Sequence, residues 1–427
     1  MIKTIILQQK EERDDLLNQP YIERIDVSIN ANYLNTGLIK LITGPRRAGK
    51  SVLSLQMLKE QNFAYLNFDD NLLLKNFDEN AVIQSLNEVY SGFRYLLLDE
   101  IQNLPDWELW VNKLHRRGIN MLITGSNAKL LSHEIATSLT GRYIQITVLP
   151  FSFAEVLRYN NITLREHKNL TPKKLGDILN QLNTYLINGG FPETVKNPLI
   201  LKNYLSALFD SVILKDILNR FKIRKSQQLF DLSNYFLTNY TNLYSFNQIK
   251  KFLNLNSVAT VQKFAGYLEE PYMFLHLPRY STKIKKQQKA PGKMYIIDNG
   301  FIKARSFDMS PNIGRLLENL VFIELLRRDF KPGLELFYYR TKNDREIDFL
   351  CRKGTKVNQL IQVCYDISHP KTHKRETEAL IEAGSELSCN DLMLISWDKE
   401  EIIEKKGYQV RFVPAWKWLL HLPVSFL

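Results

Sequence analysis

The segment from Gly44 to Ser51 places two glycines, a lysine and a serine at fixed spacing between two apolar patterns. It reads Gly-Pro-Arg-Arg-Ala-Gly-Lys-Ser, follows the β-type run Leu38–Thr43 and precedes the helical pattern Val52–Leu58. Glycines let consecutive backbone N–H groups turn inward, and the start of a helix adds the positive end of its dipole. This strand, loop and helix order is the one the motif needs. The sequence therefore predicts a phosphate-binding loop made of Gly44, Pro45, Arg46, Arg47, Ala48, Gly49, Lys50 and Ser51.

A second motif supplies the acidic groups that such a loop requires. The apolar run that begins at Arg94 ends in Asp99 and Glu100, as a buried parallel strand does where it opens onto a ligand crevice. Lys50 is expected to reach the β- and γ-phosphates of ATP, while the Ser51 hydroxyl and Asp99 are expected to hold Mg²⁺. Glu100 is the predicted base that polarises a water molecule. The alternatives are a plain glycine turn and an ordinary strand end.

The chain from Ile22 to Pro150 alternates strand-like and helical segments. Right-handed crossovers turn such a pattern into a parallel sheet with helices on both faces, so the predicted fold class is α/β. The fourth strand leads into Thr124, Ser126 and Asn127, whose polar groups are expected to orient the attacking water. These residues also fit an N-cap before the following helical segment, and both roles can hold together.

These motifs, together with Leu139-Thr140-Gly141-Arg142-Tyr143, resemble the AAA+ superfamily of ATPases. In that superfamily a Gly-Arg before the fifth strand supplies an arginine finger to a neighbouring subunit. The resemblance implies that Arg142 acts on the γ-phosphate in trans within a homo-oligomer, a role that suits a planar, always charged guanidinium. A surface ion pair is the alternative for Arg142. More narrowly, the whole chain resembles a prokaryotic ATP-binding family in which this module precedes a C-terminal domain of uncertain function.

A glycine-rich turn follows in the helical segment after the sheet. Gly189-Gly190-Phe191-Pro192 resembles the Gly-x-Pro signature of the helical lid in related ATPases, in which the proline packs near the adenine base. The resemblance implies that Pro192 contacts the nucleotide, and an ordinary turn between helices uses the same residue types.

Length, charge and cysteine content set the wider expectations. With 427 residues and 44% hydrophobic residues the chain is globular and long enough for two to four domains. The predicted domains are an ATPase domain at 1–150, a helical lid at 151–225, a winged-helix domain at 226–311 and an α/β domain at 312–427. Three unpaired cysteines fit a reducing cytosol. The early polar residues argue against a signal peptide, and the absence of a long apolar run argues against a membrane span.

The net charge of +12 is concentrated in the middle of the chain, where residues 201–300 carry 15 Lys and Arg against 6 Asp and Glu. Two short capped helices and two strand-like segments predict a winged helix there. The tip between the strands is basic, and it makes nonspecific, salt-sensitive contact with DNA or RNA the favoured hypothesis. A solubilising surface and a protein-interaction module are the alternatives. The predicted phosphate-contacting residues are Arg279, Lys283, Lys285, Lys286 and Lys289.

The C-terminal segment predicts an α–β–β–β–α–β order that is similar to the PD-(D/E)XK nuclease-like fold. Glu318, Asp348 and Gln362 take the positions of the nuclease's acidic set, but Cys364 stands where the resemblance requires a lysine. A neutral thiol cannot replace an ammonium beside a scissile phosphate. A degenerate, structural or DNA-docking domain is therefore favoured over an active nuclease. Lys374 is a conceivable replacement, and Arg340 or Arg345 a conceivable partner for Asp348.

The combined interpretation is an ATP-hydrolysing protein that couples its nucleotide state to a DNA-binding or protein-binding C-terminal half. Two alternatives stay open at this point. One is a metal-dependent nuclease with an ATPase accessory domain, and the other is a binding module that holds nucleotide without turnover.

Overall fold

The computed structural model describes residues 1–25, 27–126, 139, 141–162, 170–223, 226–305 and 312–422, with residues 28 and 29 described by their backbone alone. The chain divides into two compact units. The first is Met1–Pro150 with Glu270–Tyr272, and the second is Phe151–Glu269 with Met273–Leu427. Within the described residues, no helix combines the length and the apolar character that crossing a membrane requires.

The first unit is built on a five-stranded sheet in which every neighbouring pair of strands is parallel. The strand order is β2-β3-β4-β1-β5, so the P-loop strand β1 lies between β4 and β5. The strands are β1 Ile39–Thr43, β2 Phe63–Asn67, β3 Tyr95–Asp99, β4 Asn120–Gly125 and β5 Tyr143–Thr147. The central strands β1 and β3 are buried along their whole length, as expected where helices cover both faces. The α/β prediction is confirmed.

Helices pack on both faces of this sheet and form two hydrophobic cores. Leu96 and Leu98 of β3 point into one core, whereas Tyr95 and Leu97 point into the other, which is the alternation of a strand buried on both sides. The helices of the first unit are α1 Ile2–Asn18, α2 Val27–Ala31, α3 Lys50–Leu58, α4 Asn71–Lys75, α5 Glu79–Val89 and α6 Trp107–Arg116, with 3₁₀ turns at Asn32–Asn35 and Ile101–Asn103.

The second unit begins with helices and continues into a small antiparallel sheet. A capping box between Ser152 and Glu155 starts its first helix. The elements are α7 Phe153–Tyr159, α8 Pro172–Asn188, α9 Pro192–Lys196, a 3₁₀ turn Pro198–Ile200, α10 Leu201–Ser211, a π-helix Val212–Asn219, α11 Ser226–Thr238, β6 Leu243–Tyr244, α12 Phe246–Phe252, α13 Val258–Glu269, β7 Phe274–Leu277, α14 Ile284–Lys289, β8 Gly292–Ile296 and α15 Asn299–Arg305. The sheet order is β6-β8-β7, and the short helix α14 occupies the basic tip of the β7–β8 hairpin.

The rest of the second unit is a six-stranded mixed sheet with the order β13-β14-β12-β11-β10-β9. Its elements are α16 Ile313–Arg327, β9 Leu336–Arg340, β10 Glu346–Lys353, β11 Lys356–Val363, α17 Pro370–Leu387, β12 Leu392–Ser396, β13 Glu401–Lys405, β14 Tyr408–Pro414 and α18 Ala415–Leu419. Strands β11 and β12 are parallel because α17 crosses between them. The predicted α–β–β–β–α–β order is present, and the hairpin β13–β14 and helix α18 extend it.

Candidate functional site

The phosphate-binding loop from Gly44 to Ser51, or P-loop, has a backbone shape that requires glycine at two positions. Gly44 has a φ of 142°, and a Cβ atom there would lie 2.0 Å from the Val148 carbonyl oxygen. Gly49 has a φ of 97° and immediately precedes α3, whose first residue is Lys50. Arg47 also adopts a positive φ, of 67°. The loop therefore departs from strand geometry in the way needed to turn backbone amides toward a ligand.

Lys50 is buried within this loop, with 3% of its side chain exposed. Its Nζ atom donates to the carbonyl oxygens of Gly44, at 3.3 Å, and Pro45, at 3.1 Å. It also lies 4.0 Å from Glu100 Oε1. The lysine is thus held at the loop by backbone acceptors, next to the carboxylate that the sequence predicted as the base.

Asp99 lies at the centre of the predicted metal site. Its Oδ1 atom accepts from the Ser51 hydroxyl at 2.9 Å and from the Thr124 hydroxyl, and its Oδ2 accepts from the Tyr65 hydroxyl at 3.3 Å. Burial raises the pKa of Asp99 to about 6, against the opposing effect of the Thr124 hydrogen bond. A hydroxyl and a carboxylate that converge within hydrogen-bond distance are hard oxygen donors of the kind Mg²⁺ prefers. Ser51 and Asp99 therefore fit the ion.

Glu100 is presented by a strained turn at the carboxyl end of β3. Its φ is 51° and its ψ is 42°, a left-handed conformation that is uncommon for a residue with a side chain. Its backbone N–H donates to the Thr124 hydroxyl at 2.9 Å, and its Oε2 accepts from Gln102 Nε2 at 2.5 Å. Thr124 therefore bridges both acidic residues, which gives it a geometric role that its sequence position alone did not specify.

The structure brings most of the predicted catalytic residues of the first unit together. Lys50, Ser51, Asp99, Glu100 and Thr124 form one connected set, and Ser126 is buried just after β4. Asn127 lies outside the described residues.

Two residues of this site escaped the sequence analysis. Tyr65 carries no motif, and its contribution depends on the pairing of β2 with β3. Gln102 stands two positions after Glu100. Its polar side chain so close to the Asp99-Glu100 pair is the feature of the sequence that could have identified it.

Arg142 lies away from the P-loop of its own chain. It directly precedes β5 and is exposed, and the register pairs Tyr143 with Ile39 at the start of β1, whereas the P-loop follows the other end of that strand. Its guanidinium donates to Asn112 Oδ1 on α6. Because the two ends of the sheet are separated by the length of β1, Arg142 does not contact the P-loop of its own chain.

The lid-like turn is fixed within the second unit by a buried carboxylate. Asp298 Oδ2 accepts from the backbone N–H of Gly190 at 2.7 Å, and its Oδ1 accepts from the N–H of Gly300 at 2.8 Å. A Cβ atom on Gly189 would lie 1.7 Å from Asp298 Oδ1. Pro192 begins α9 directly after this turn and is half-buried. Its contact with adenine stays a prediction.

The basic residues of the hairpin divide into two groups. Lys283, Lys285, Lys286 and Lys289 are exposed on or beside α14. Arg279 is half-buried instead, and its Nη2 donates to the Arg340 carbonyl oxygen at 3.3 Å. The exposed lysines are therefore the better placed for phosphate, and Arg279 is engaged with the larger sheet.

The acidic set of the C-terminal region assembles around a lysine that the sequence analysis did not single out. Lys293 Nζ lies 2.9 Å from Glu318 Oε1 and 3.2 Å from Asp348 Oδ1. The Asp348 N–H donates to Gln362 Oε1 at 3.3 Å. Glu318, Asp348 and Gln362 are thus neighbours, and Glu346 joins them at 2.7 Å from Lys293 Nζ.

The partners suggested for Asp348 were wrong. Arg340 pairs with Asp344 and Glu346 instead, and Arg345 pairs with Glu378 and Glu382.

Comparison with known proteins agrees with a P-loop in the first unit. An AAA domain matches residues 36–157, and two domains of unknown function match residues 179–309 and 313–416. The chain thus contains a P-loop ATPase domain of the AAA type, whereas the winged-helix and nuclease-like assignments stay predictions.

Full-length relatives define the family more closely. The uncharacterized protein MJ1544 of Methanocaldococcus jannaschii is 31% identical over 98% of both chains. An uncharacterized protein of Haemophilus influenzae is 32% identical over 90% of this chain and 95% of its own. The chain therefore belongs to the family of these uncharacterized proteins. The Walker-type ATPase PABY2304 of Pyrococcus abyssi aligns with 68% of this chain and 99% of its own, at 15% identity and a TM-score of 0.46.

Proposed function

We propose that the first unit binds and hydrolyses ATP with Mg²⁺ and that the second unit couples the nucleotide state to DNA. The observation that carries the proposal is the connected set of Lys50, Ser51, Asp99, Glu100 and Thr124, which combines a phosphate-binding lysine, oxygen donors for Mg²⁺ and a base for water. In this proposal Lys50 leaves its loop carbonyls to bind the β- and γ-phosphates. Mg²⁺ held by Ser51 and Asp99 would neutralise phosphate charge.

Glu100 is the proposed base for the attacking water. Its carboxylate is mostly buried, with 15% of the side chain exposed, and lies 4.0 Å from Lys50 Nζ, so it faces the place where the γ-phosphate would lie. Gln102 and Thr124 hold its carboxylate and its backbone, respectively. This support fixes the base in a geometry that a water molecule can use.

The position of Arg142 supports a role in a neighbouring subunit. It is exposed at the opposite end of β1 from the P-loop, so it serves a phosphate site only if another copy of the chain presents one. We therefore propose a homo-oligomer in which Arg142 completes the site of the adjacent subunit.

The basic hairpin is the proposed DNA contact, and the element order around it fits a winged helix. Between Pro271 and Ile297 the sequence has no acidic residue. A groove of about 820 Å³ next to α14 is lined by polar side chains, among them Gln262, Gln287 and Lys289, and by apolar and aromatic ones such as Phe246 and Val258. The exposed lysines on and beside α14 suit phosphate contact with little sequence preference.

The hydrolysis proposal is tested with two variants. Lys50→Ala should abolish nucleotide binding. Glu100→Gln should retain binding and lower turnover by about 10² to 10⁴-fold, the usual contribution of a general base. Equal turnover in wild type and Glu100→Gln would remove Glu100 from the mechanism. A wild-type rate below ~0.001 s⁻¹, with and without DNA, would favour a nucleotide-holding module instead.

The DNA proposal is tested by measuring duplex affinity and ATPase rate at two salt concentrations. Neutralising Lys283, Lys285 and Lys286 to Gln should weaken binding and lower the slope of log affinity against log salt by up to about 3, since each phosphate contact contributes about 0.9. The matched control neutralises three exposed lysines on α8 and α10: Lys173, Lys174 and Lys202. Equal slopes in the two triple variants would exclude the hairpin as the contact.

A further inference from the structure

Lys293 is a buried lysine surrounded by three carboxylates from two structural elements other than its own. It lies on β8, its side chain is 3% exposed, and its Nζ contacts Glu318 of α16 at 2.9 Å and Glu346 and Asp348 of β10 at 2.7 and 3.2 Å. We call Lys293, Glu318, Glu346 and Asp348 the lysine cluster. Every member belongs to the second unit.

The carboxylates of the lysine cluster are already engaged by neighbouring donors. Glu318 Oε1 also accepts from the Tyr295 hydroxyl at 2.7 Å, and Asp348 Oδ2 accepts from the Val363 backbone N–H at 2.9 Å. The ring of Tyr295 stacks on Phe322 with centroids 4.0 Å apart, so one side of the cluster is closed by packed aromatic groups. These contacts fix the carboxylates around the lysine.

The electrostatics keep Lys293 charged. Burial lowers the pKa of a lysine, but Glu318 and the two carboxylates of β10 together raise the pKa of Lys293 well above its usual value. Burial and the Glu318 carboxylate raise the pKa of Asp348. An ammonium in this position offsets the negative charge that would otherwise be stranded in a buried site.

A nuclease of the resembled class needs a divalent ion where its carboxylates converge, and the lysine cluster does not fit one. The ammonium nitrogen already lies at that point, within 3.2 Å of an oxygen from each carboxylate, and two cations cannot share it. In the described part of the chain, no three His, Cys, Asp or Glu residues are arranged to hold a metal. At the position of the missing lysine, burial raises the pKa of the Cys364 thiol to about 11, so it stays neutral.

We propose that Lys293 is the resident cation of this acidic site, filling the position of a divalent metal, excluding that metal and fastening the β7–β8 hairpin to the C-terminal sheet. We call the ion pairs between Lys293 and the three carboxylates the latch, because they hold the β7–β8 hairpin on the C-terminal sheet. Metal-dependent cleavage of nucleic acid does not occur at it, while the hairpin that carries the exposed lysines is held in a fixed position by β8.

The exclusion is tested by counting bound Mn²⁺ by electron paramagnetic resonance in nucleotide-free full-length protein. Wild type and Asp348→Asn should bind the same number of ions. Lys293→Met should bind one more, and Lys293→Met combined with Asp348→Asn should lose it again. One fewer ion in Asp348→Asn than in wild type would overturn the proposal, because the carboxylates would then hold metal beside the lysine. A Lys293→Met protein that is folded and gains no ion would also overturn it.

The latch is tested by thermal unfolding with a matched control. Lys293→Met should lower the melting temperature, and adding Glu318→Gln to the same chain should restore part of that melting temperature. Lys285→Met, on the same hairpin, should leave the melting temperature unchanged. Additive losses from Lys293→Met and Glu318→Gln would contradict the latch. If Lys293→Met fails to fold, the Mn²⁺ comparison between wild type and Asp348→Asn still decides the exclusion.

Discussion

Replacing Gly44 by alanine should strongly weaken nucleotide binding through the shape of the P-loop alone, without removing any functional group. The new Cβ would lie 2.0 Å from the Val148 carbonyl oxygen and 3.0 Å from its carbonyl carbon. Backbone atoms cannot rotate away as a flexible side chain can, so the first turn of the loop must shift. The φ of 142° adds strain for any residue that has a Cβ.

The size of the effect follows from these two terms. A disfavoured backbone conformation costs about 1–3 kcal/mol, and overpacking costs about 1–3 kcal/mol. If the loop moves to relieve the strain and the overlap, its backbone amides no longer point at the phosphates. The free energy of ATP binding then becomes less favourable by a similar amount. A total of about 2–6 kcal/mol corresponds to a loss in ATP affinity of at least about 30-fold, at about 1.4 kcal/mol for each factor of ten.

The assay is a titration of purified protein with a fluorescent ATP analogue in the presence of Mg²⁺. Gly37→Ala is the matched control, because Gly37 lies near the other end of β1 and a Cβ there would meet nothing within 4 Å. Circular dichroism of both variants confirms that the sheet is intact. An affinity for Gly44→Ala within threefold of the Gly37→Ala value would contradict this prediction, since the loop would then tolerate a Cβ 2.0 Å from the Val148 carbonyl oxygen.

Three further predictions follow from the second unit and the exposed arginine. Burial raises the pKa of Asp298 from 3.8 to about 7, so the folded state retains a proton that the unfolded state loses. The free energy of unfolding should therefore fall by up to about 4 kcal/mol between pH 4 and pH 7. Urea unfolding at several pH values should show a weaker pH dependence for Asp298→Asn. Gly190→Ala should lower the melting temperature because its Cβ would lie 2.3 Å from a backbone carbonyl oxygen, whereas Gly176→Ala, with open space around it, should raise it slightly. Mixing inactive Arg142→Ala with inactive Glu100→Gln should restore part of the ATPase rate, and no recovery in a demonstrated mixed oligomer would exclude the trans role.

The proximity of the predicted nucleotide-site residues could be inferred from the sequence because they are local or share one edge of a parallel sheet. The glycine spacing specifies the turn, and the carboxyl ends of β1, β3 and β4 meet on the same side. Ser51 and Asp99 therefore had to approach one another. The role predicted for Thr124, orienting the attacking water, stays a prediction, and its bridge between Asp99 and the Glu100 backbone depends on hydrogen-bond geometry that spacing does not encode.

The lysine cluster was not predictable in the same way, because its cation and its carboxylates come from different motifs. Lys293 is 25 positions from Glu318 and 55 from Asp348, and it follows a run of lysines that indicates phosphate contact. The available signal was its setting in Gly292–Ile296, a strand that is buried along its length. A lysine within such a strand requires buried hydrogen-bond acceptors, which separates it from the exposed lysines of α14.

Strand β8 joins the two halves of the second unit through polar contacts at both of its ends. Its early residue Lys293 is held by the carboxylates of α16 and β10, and just after its last residue Asp298 holds the Gly190 turn. Between them, Asn319 of α16 accepts from the Ile296 N–H at 2.9 Å and donates to the Ile296 carbonyl oxygen at 2.8 Å. Because buried polar groups are costly to leave unpaired, neither the turn before Pro192 nor the acidic site can move without straining this strand. A displacement of the Gly190 turn would therefore strain β8, the strand that also carries the basic hairpin.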